Sequence, residues 1–159
     1  MGIAYPMYSV CFKFIFTELI IYFSCKKDSG STANPTFSAK VQGTLWKGAT
    51  IAALHSTGGN TTQIIAAGTY PSEQISLIYI GSGKGTFTFN DQNMGSAVVG
   101  SYTFSSMFSD SPEGTITITQ YDVNGKKISG TFSFKGDDID GATYNVTEGK
   151  FDNVSLAVQ

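Results

Sequence analysis

From Pro35 onward, apolar and polar residues alternate in short runs broken by Gly, Asn, Asp and Ser. A period of two marks a strand with one buried face, and no window carries the 3.6-residue period of an amphipathic helix. The pattern predicts strands over 36–41, 43–48, 50–56, 61–68, 74–81, 85–90, 100–106, 114–122, 127–134 and 143–151, with a last piece over 153–158. Turn signals recur roughly every 8–12 residues, and no segment holds the dozen or so helical residues that a parallel crossover needs. The expected fold is all-β, an antiparallel β-sandwich or flattened β-barrel of about 8–10 short strands. Segments 90–100 and 105–114 lack the alternation and read as mobile loops.

The hairpin "GTITITQYDVNGKKISGTFSF" is the most sharply patterned stretch. Residues directly opposite in an antiparallel pair share a face. A two-residue turn at Asn124-Gly125 would set Ile118 against Thr131 and mix the faces. A three-residue loop, Val123-Asn124-Gly125, pairs Ile116 with Phe132, Ile118 with Gly130 and Gln120 with Ile128. Parity therefore predicts the three-residue loop, with Gly125 at a positive φ and Gly130 leaving room for Ile118 or an aromatic neighbour. "GTFTFN", "GSYTFSS" and "GTFSFKG" repeat one scheme, which points Phe87, Phe89, Tyr102, Phe104, Phe132 and Phe134 to one face. Such a face is either a core built on Phe or the lining of an apolar cavity, and alternation alone favours the core.

Composition narrows the function classes. The formal net charge is −2 and all ten basic residues are lysine, so neither a positive groove nor the fork-shaped guanidinium that best grips phosphate is present. No nucleic-acid partner is expected. The only cysteines, Cys11 and Cys25, lie before the strand-patterned part, which therefore has no disulfide and no thiolate chemistry of its own.

Ahead of that part, "FIFTELIIYFS" (14–24) is an apolar block that follows Lys13 and ends at Ser24 and Cys25. A positive flank, a short apolar core and a small residue at the cut describe a secretory leader. Eleven residues fall short of the roughly 20 that a membrane-spanning helix requires. The organisation expected is a lipoprotein-type signal peptide over 1–24, a flexible tether over 25–35 and a single all-β domain over 36–159. Cys25 is the expected lipid-attachment residue, since acyl chains contribute roughly 0.8 kcal/mol per buried methylene.

Several motifs together resemble a group of uncharacterised small lipoproteins of the Bacteroidota. They are Cys25 with its Ser- and Gly-rich tether and an opening built on Phe37, Ala39, Lys40, Val41 and Gly43. The "GTITIT…ISGTFSF" hairpin and a closing Val146, Thr147, Gly149 and Phe151 complete them. The resemblance spans Cys25 to nearly the end of the chain. It implies a cell-envelope lipoprotein of the outer membrane, facing the periplasm or the cell surface. It carries no assigned activity, so it transfers no functional residues.

Candidate chemistry is sparse. His55 is the sole histidine and would need a carboxylate or nucleophile brought to it by the fold to act as a base. Asp137, Asp138 and Asp140 before Gly141 offer oxygen ligands suited to calcium, or else form the solvated turn for which Asp and Gly are common. "GSGKG" (81–85) lacks the spacing and the helix of a phosphate loop and reads as a turn. Trp46, with Tyr70 and Tyr79, would stack on a sugar if exposed, although burial is the commoner fate of Trp. No enzymatic activity and no cofactor beyond calcium are expected. The leading expectation is a membrane-tethered envelope domain with a non-catalytic binding or structural role, its protein or glycan partner undetermined. The alternatives are a carrier of apolar small molecules with a Phe-lined barrel interior and a His55-dependent hydrolase.

Overall fold

The computed structural model describes residues 15–16, 19–20, 34–70 and 72–159, and the chain divides into two compact units, 1–32 and 33–159. In the first unit, β1 (Ile15–Phe16) and β2 (Leu19–Ile20) pair antiparallel, with Ile15 opposite Ile20. Cys11, Cys25, the expected cut before Cys25 and most of the 25–35 tether lie outside the described residues.

The second unit is all-β. Its strands are β3 (Thr36–Val41), β4 (Thr44–Lys47), β5 (Thr50–Ser56), β6 (Thr61–Ala67), β7 (Gln74–Ile80) and β8 (Gly85–Thr88). They continue as β9 (Met94–Val99), β10 (Tyr102–Ser105), β11 (Gly114–Asp122), β12 (Lys127–Asp137) and β13 (Thr143–Val158). One 3-10 turn, Ser106–Phe108, follows β10, and the Ser105 hydroxyl caps it by accepting from the Met107 N–H. The strands join in the order β4-β3-β13-β5-β6-β7-β9-β10-β12-β11-β8, and β12 also pairs with β13, so seven of them close into a ring. All pairings are antiparallel except β13 with β5. The result is a flattened barrel.

The long strands β12 and β13 make closure feasible. One edge of β13 carries β12, and the other carries β3 along Val146–Asp152 and then β5 along Leu156–Val158. A straight strand cannot serve two diverging neighbours, and β13 bends at two places where its register slips. Glu148 and Asn153 there take φ values of 51° and 55°. Bulges of this kind bend a strand and raise its twist.

The core is aromatic along this seam. The Phe37 ring lies 5.1 Å from Phe132 and 6.3 Å from Phe151. Each of the last two sits opposite a glycine: Phe151 faces Gly130, and Phe132 faces Gly149. A Cβ on Gly130 would come within 2.7 Å of the Phe151 ring, and one on Gly149 within 2.6 Å of the Phe132 ring. The glycines are required because the rings lie directly over them, and the rings in turn cover backbone that a glycine leaves bare. Ile64, Ile75, Leu77, Ala97 and Phe104 line the opposite wall.

Three details depart from the sequence reading. Segment 90–100 is not a loop throughout, because it contains β9, whose inward positions are Gly95 and Ala97. A Cβ at Gly95 would fall 2.7 Å from the Phe134 ring, so this strand must turn its smallest residues inward and shows no apolar alternation. The β11–β12 register starts as expected, with Ile116 opposite Phe132 and Ile118 opposite Gly130, but a bulge then shifts the phase. Tyr121, not Gln120, faces Ile128, and the loop is Val123–Lys126. Lys126 takes the positive φ of 52°, while Gly125 is needed for space, since a Cβ there would collide with the Asp122 carboxylate that accepts from its N–H. Finally, the last predicted piece is continuous with 143–151, and Tyr102 is 37% exposed rather than fully inward, its ring tilted against Tyr144 at 5.1 Å.

Candidate functional site

Two recesses stand out among the described residues. The first, about 310 Å³, is lined by Leu45, Trp46, Lys47, Thr69, Tyr70 and Glu73. Trp46 is only 7% exposed, with its indole set edge-on to Phe37 at 6.0 Å. Its ring N–H donates to Glu73 Oε2 at 3.1 Å, and the Gly100 N–H donates to Glu73 Oε1 at 3.0 Å. The indole N–H and both Glu73 oxygens of this recess are thus already engaged. Tyr79 lies elsewhere, fully buried, so the stacking trio of Trp46, Tyr70 and Tyr79 is not assembled.

The second recess, about 460 Å³, lies at one end of the barrel and is lined by His55, Thr57, Ser82, Gly83, Tyr121, Val123 and Val158. Strand register builds it. His55 on β5 sits opposite Thr62 on β6, Thr62 sits opposite Tyr79 on β7, and Val158 on β13 closes the other side of His55. A row of inward polar side chains therefore crosses three neighbouring strands, with His55 6% exposed and Thr62 and Tyr79 fully buried. Tyr121 joins from β11 because the bulge turns it inward, and its ring meets His55 edge-on at 6.0 Å and 86°.

The hydrogen bonds of this row fix its proton inventory. Thr62 Oγ1–H donates to the Gly81 carbonyl at 2.8 Å, which uses its only proton. His55 Nδ1, 3.0 Å from the same oxygen, must then be the donor. The neutral ring therefore carries its proton on Nδ1 and a lone pair on Nε2, which has no partner among the described residues. The Tyr79 and Tyr121 hydroxyls are also buried, with no hydrogen-bond partner among the described residues. Thr62 Oγ1 lies near enough to both to oppose their shifts without completing a hydrogen bond to either. With one of its two lone pairs taken by His55, it can serve at most one tyrosine. Burial pushes the Tyr79 hydroxyl up to about 12, with Tyr121 adding to the rise, and burial raises Tyr121 as well. Among the described residues, no carboxylate lines this recess or hydrogen-bonds His55.

The acidic loop is differently organised from a metal site. Asp138 Oδ1 accepts from the backbone N–H groups of Asp140 and Ala142, both at 2.9 Å, and Oδ2 accepts from the Tyr144 hydroxyl at 3.0 Å. Asp137 accepts from Thr143 Oγ1 at 2.7 Å. These donors, the Ala142 N–H foremost, hold the Asp138 carboxyl below the usual range. Asp137, Asp138 and Asp140 do not converge, and no group of three or more His, Cys, Asp or Glu among the described residues is placed to hold a metal ion. Residues 81–84 join β7 to β8, which begins at Gly85, and the Phe87 ring lies against Gly81.

Of the residues singled out in the sequence, the structure brings only His55 into an open polar site. The sequence reading passes over Thr62 and Tyr121 and takes Tyr79 only for stacking with Trp46 and Tyr70, although Thr62 and Tyr79 carry a legible signal. Thr62 is in phase with Ile64 and Ala66, and Tyr79 with Ile75 and Leu77, so both are polar groups on inward positions.

No curated protein and no solved structure matches the chain. A family model described as a domain of unknown function, DUF6252, matches residues 33–155, which is the barrel almost in full, and the chain belongs to that family.

Proposed function

We propose that the chain is a lipid-anchored domain of the bacterial cell envelope, of the Bacteroidota lipoprotein type, that binds a ligand without transforming it. The tether is Cys25, acylated after removal of residues 1–24, and the barrel stands at the outer membrane facing the periplasm or the cell surface. The leader shape and the charged, Ser-rich stretch after Cys25 support the anchor. The observation that carries the binding role is the recess at His55. There the His55 ring, its Nε2 without a partner among the described residues, lines a concavity with Tyr121, Val123 and Val158 and, among the described residues, no carboxylate. A polar ring set in an otherwise largely apolar recess of this size suits recognition.

The two other readings have less behind them. An apolar carrier needs an empty interior, whereas the Phe37, Phe132 and Phe151 rings pack on one another where a ligand would lie. A His55 hydrolase needs a carboxylate to orient or share its proton, and that place belongs to Thr62. Mass spectrometry of the native chain extracted from membranes tests the anchor. The expected product begins at Cys25 and carries the mass of its acyl groups. A cytosolic chain that keeps residues 1–24 overturns the proposal.

A further inference from the structure

We infer that Tyr102 and Tyr144 form an oxidative cross-linking site, at which a one-electron oxidant from solvent couples the two rings into an intrachain dityrosine joining β10 to β13. The pair lies at the other end of β13 from His55, and the inference does not depend on the ligand-binding role.

The topology brings the two rings together. Strand β12 runs between β10 and β13, so their side chains would ordinarily be kept apart. Tyr144 sits opposite Gly136 on β12, and Ser105 sits opposite the next residue, Asp137, so the intervening strand has no side chain at the crossing. Tyr102 is in phase with the buried Phe104 but stands at the rim, 37% exposed. Its ring lies 5.1 Å from that of Tyr144, tilted by 49°. Rings so placed touch edge to face, and rotation of the exposed Tyr102 side chain brings the carbons beside the two hydroxyls into line. Phe104 stacks on Tyr144 at 5.2 Å and 27°, which steadies that ring. Among the described residues this is the one contact between two tyrosine rings.

The second observation is a proton acceptor. A phenol gives up an electron far more readily when its proton can leave with it. The Tyr144 hydroxyl donates to Asp138 Oδ2 at 3.0 Å. Asp138 Oδ1 is itself pinned by the backbone N–H groups of Asp140 and Ala142, so the carboxylate is already aimed. Oxidant meets the exposed Tyr102 first and takes an electron, the phenolic proton passing to water. Tyr144 then gives an electron to that radical and its proton to Asp138, while Tyr102 regains a proton from water. A second oxidation of Tyr102 leaves two phenoxyl radicals in contact. They join by a carbon–carbon bond between Cε atoms, and the two hydrogens on those carbons leave as protons while each oxygen regains one. The chain loses two electrons and two protons in all; the oxidant takes the electrons, and Asp138 and water take the protons.

The full-length chain in detergent is illuminated with ruthenium tris-bipyridyl and persulfate, then digested and mapped by mass spectrometry. The expected product joins the peptides bearing Tyr102 and Tyr144, is two hydrogens lighter than their sum, and shows dityrosine fluorescence. Its yield should not change on dilution, and the product should run as a monomer with a raised unfolding temperature, since the link restricts the unfolded chain. Tyr102→Phe and Tyr144→Phe should each abolish it. Tyr70→Phe should not, although Tyr70 is 70% exposed. Asp138→Asn should slow the coupling at least roughly tenfold, and Asp138→Glu, which keeps a carboxylate, should recover most of the rate. Dityrosine found only between molecules, or an intrachain link that persists in Tyr102→Phe, overturns the site. Coupling at an unchanged rate in Asp138→Asn overturns the proton route through Asp138.

Discussion

The Trp46 recess and the His55 recess are built from the same kinds of parts and are finished differently. Each has a buried ring nitrogen, a neighbouring polar group and an apolar rim. At Trp46 the indole proton, both oxygens of Glu73 and the Gly100 N–H form a closed set. Gly68 completes it, because a Cβ there would come within 2.9 Å of the Glu73 side chain and 3.2 Å of the indole. At His55 the set stays open, with the buried Tyr79 and Tyr121 hydroxyls lacking partners among the described residues. Buried polar groups are rarely left so, and the exceptions cluster where they have work other than folding. A surface concavity is therefore better judged by the valence of the atoms around it than by its size.

The contrast can be broken at either end. The largest effect belongs to Trp46→Ala, which empties a buried indole site and leaves Glu73 without its donor. It should cost about 3–5 kcal/mol in urea unfolding. Glu73→Ala removes two bonds to a charged acceptor and should cost about 2 kcal/mol by the same measurement. A loss near zero would mean that the first recess is not held by its polar set. At the other recess the sign reverses. Tyr79→Phe and Tyr121→Phe each delete a buried hydroxyl without a partner, so stability should hold or rise by about 1 kcal/mol. A clear loss on either change would show that the hydroxyl is satisfied in the folded chain.

Titration sharpens the comparison. The Tyr79 hydroxyl is raised above its ordinary value of 10 to about 12, so the unfolded chain gives up this proton first. Its contribution to stability is complete below pH 10 and is lost as pH climbs towards 12. Melting temperature against pH should fall across that window, and Tyr79→Phe should flatten the fall. The smallest effect is expected at Asp138, outside both recesses. Its folded value is lowered, so its contribution is present above the ordinary carboxylate range and disappears as pH drops through the folded value. Asp138→Asn should blunt that acid limb in the same melting series.

Much of the barrel was legible because strands with one buried face must alternate. Strands 36–41, 50–56 and 114–122 come out with the bounds expected, and Phe89, Phe104, Phe132 and Phe134 are all inward. What escaped was set by partners distant in the chain. Strand β9 hides its inward face in Gly95 and Ala97 because Phe134 occupies the space. At the bulge beyond Ile118, Ser129 ties one irregularity to another, its hydroxyl donating to Asp152 Oδ1 at 2.8 Å and accepting from the Asn153 N–H. The site divides the same way. His55 is conspicuous as the sole histidine, yet Tyr121 reaches it only through that bulge, which no local pattern announces.

The parallel pairing of Val158 with His55 has a consequence for how the molecule comes into being. Strand β5 must wait for nearly all the rest of the polypeptide before its second neighbour exists. Until then its free edge is a template for any stray chain. Contacts so remote in sequence make for slow self-assembly. Newly emerged protein should therefore pass through a vulnerable interval, which ends only when Leu156, Ala157 and Val158 slide in beside Ala53, Leu54 and His55.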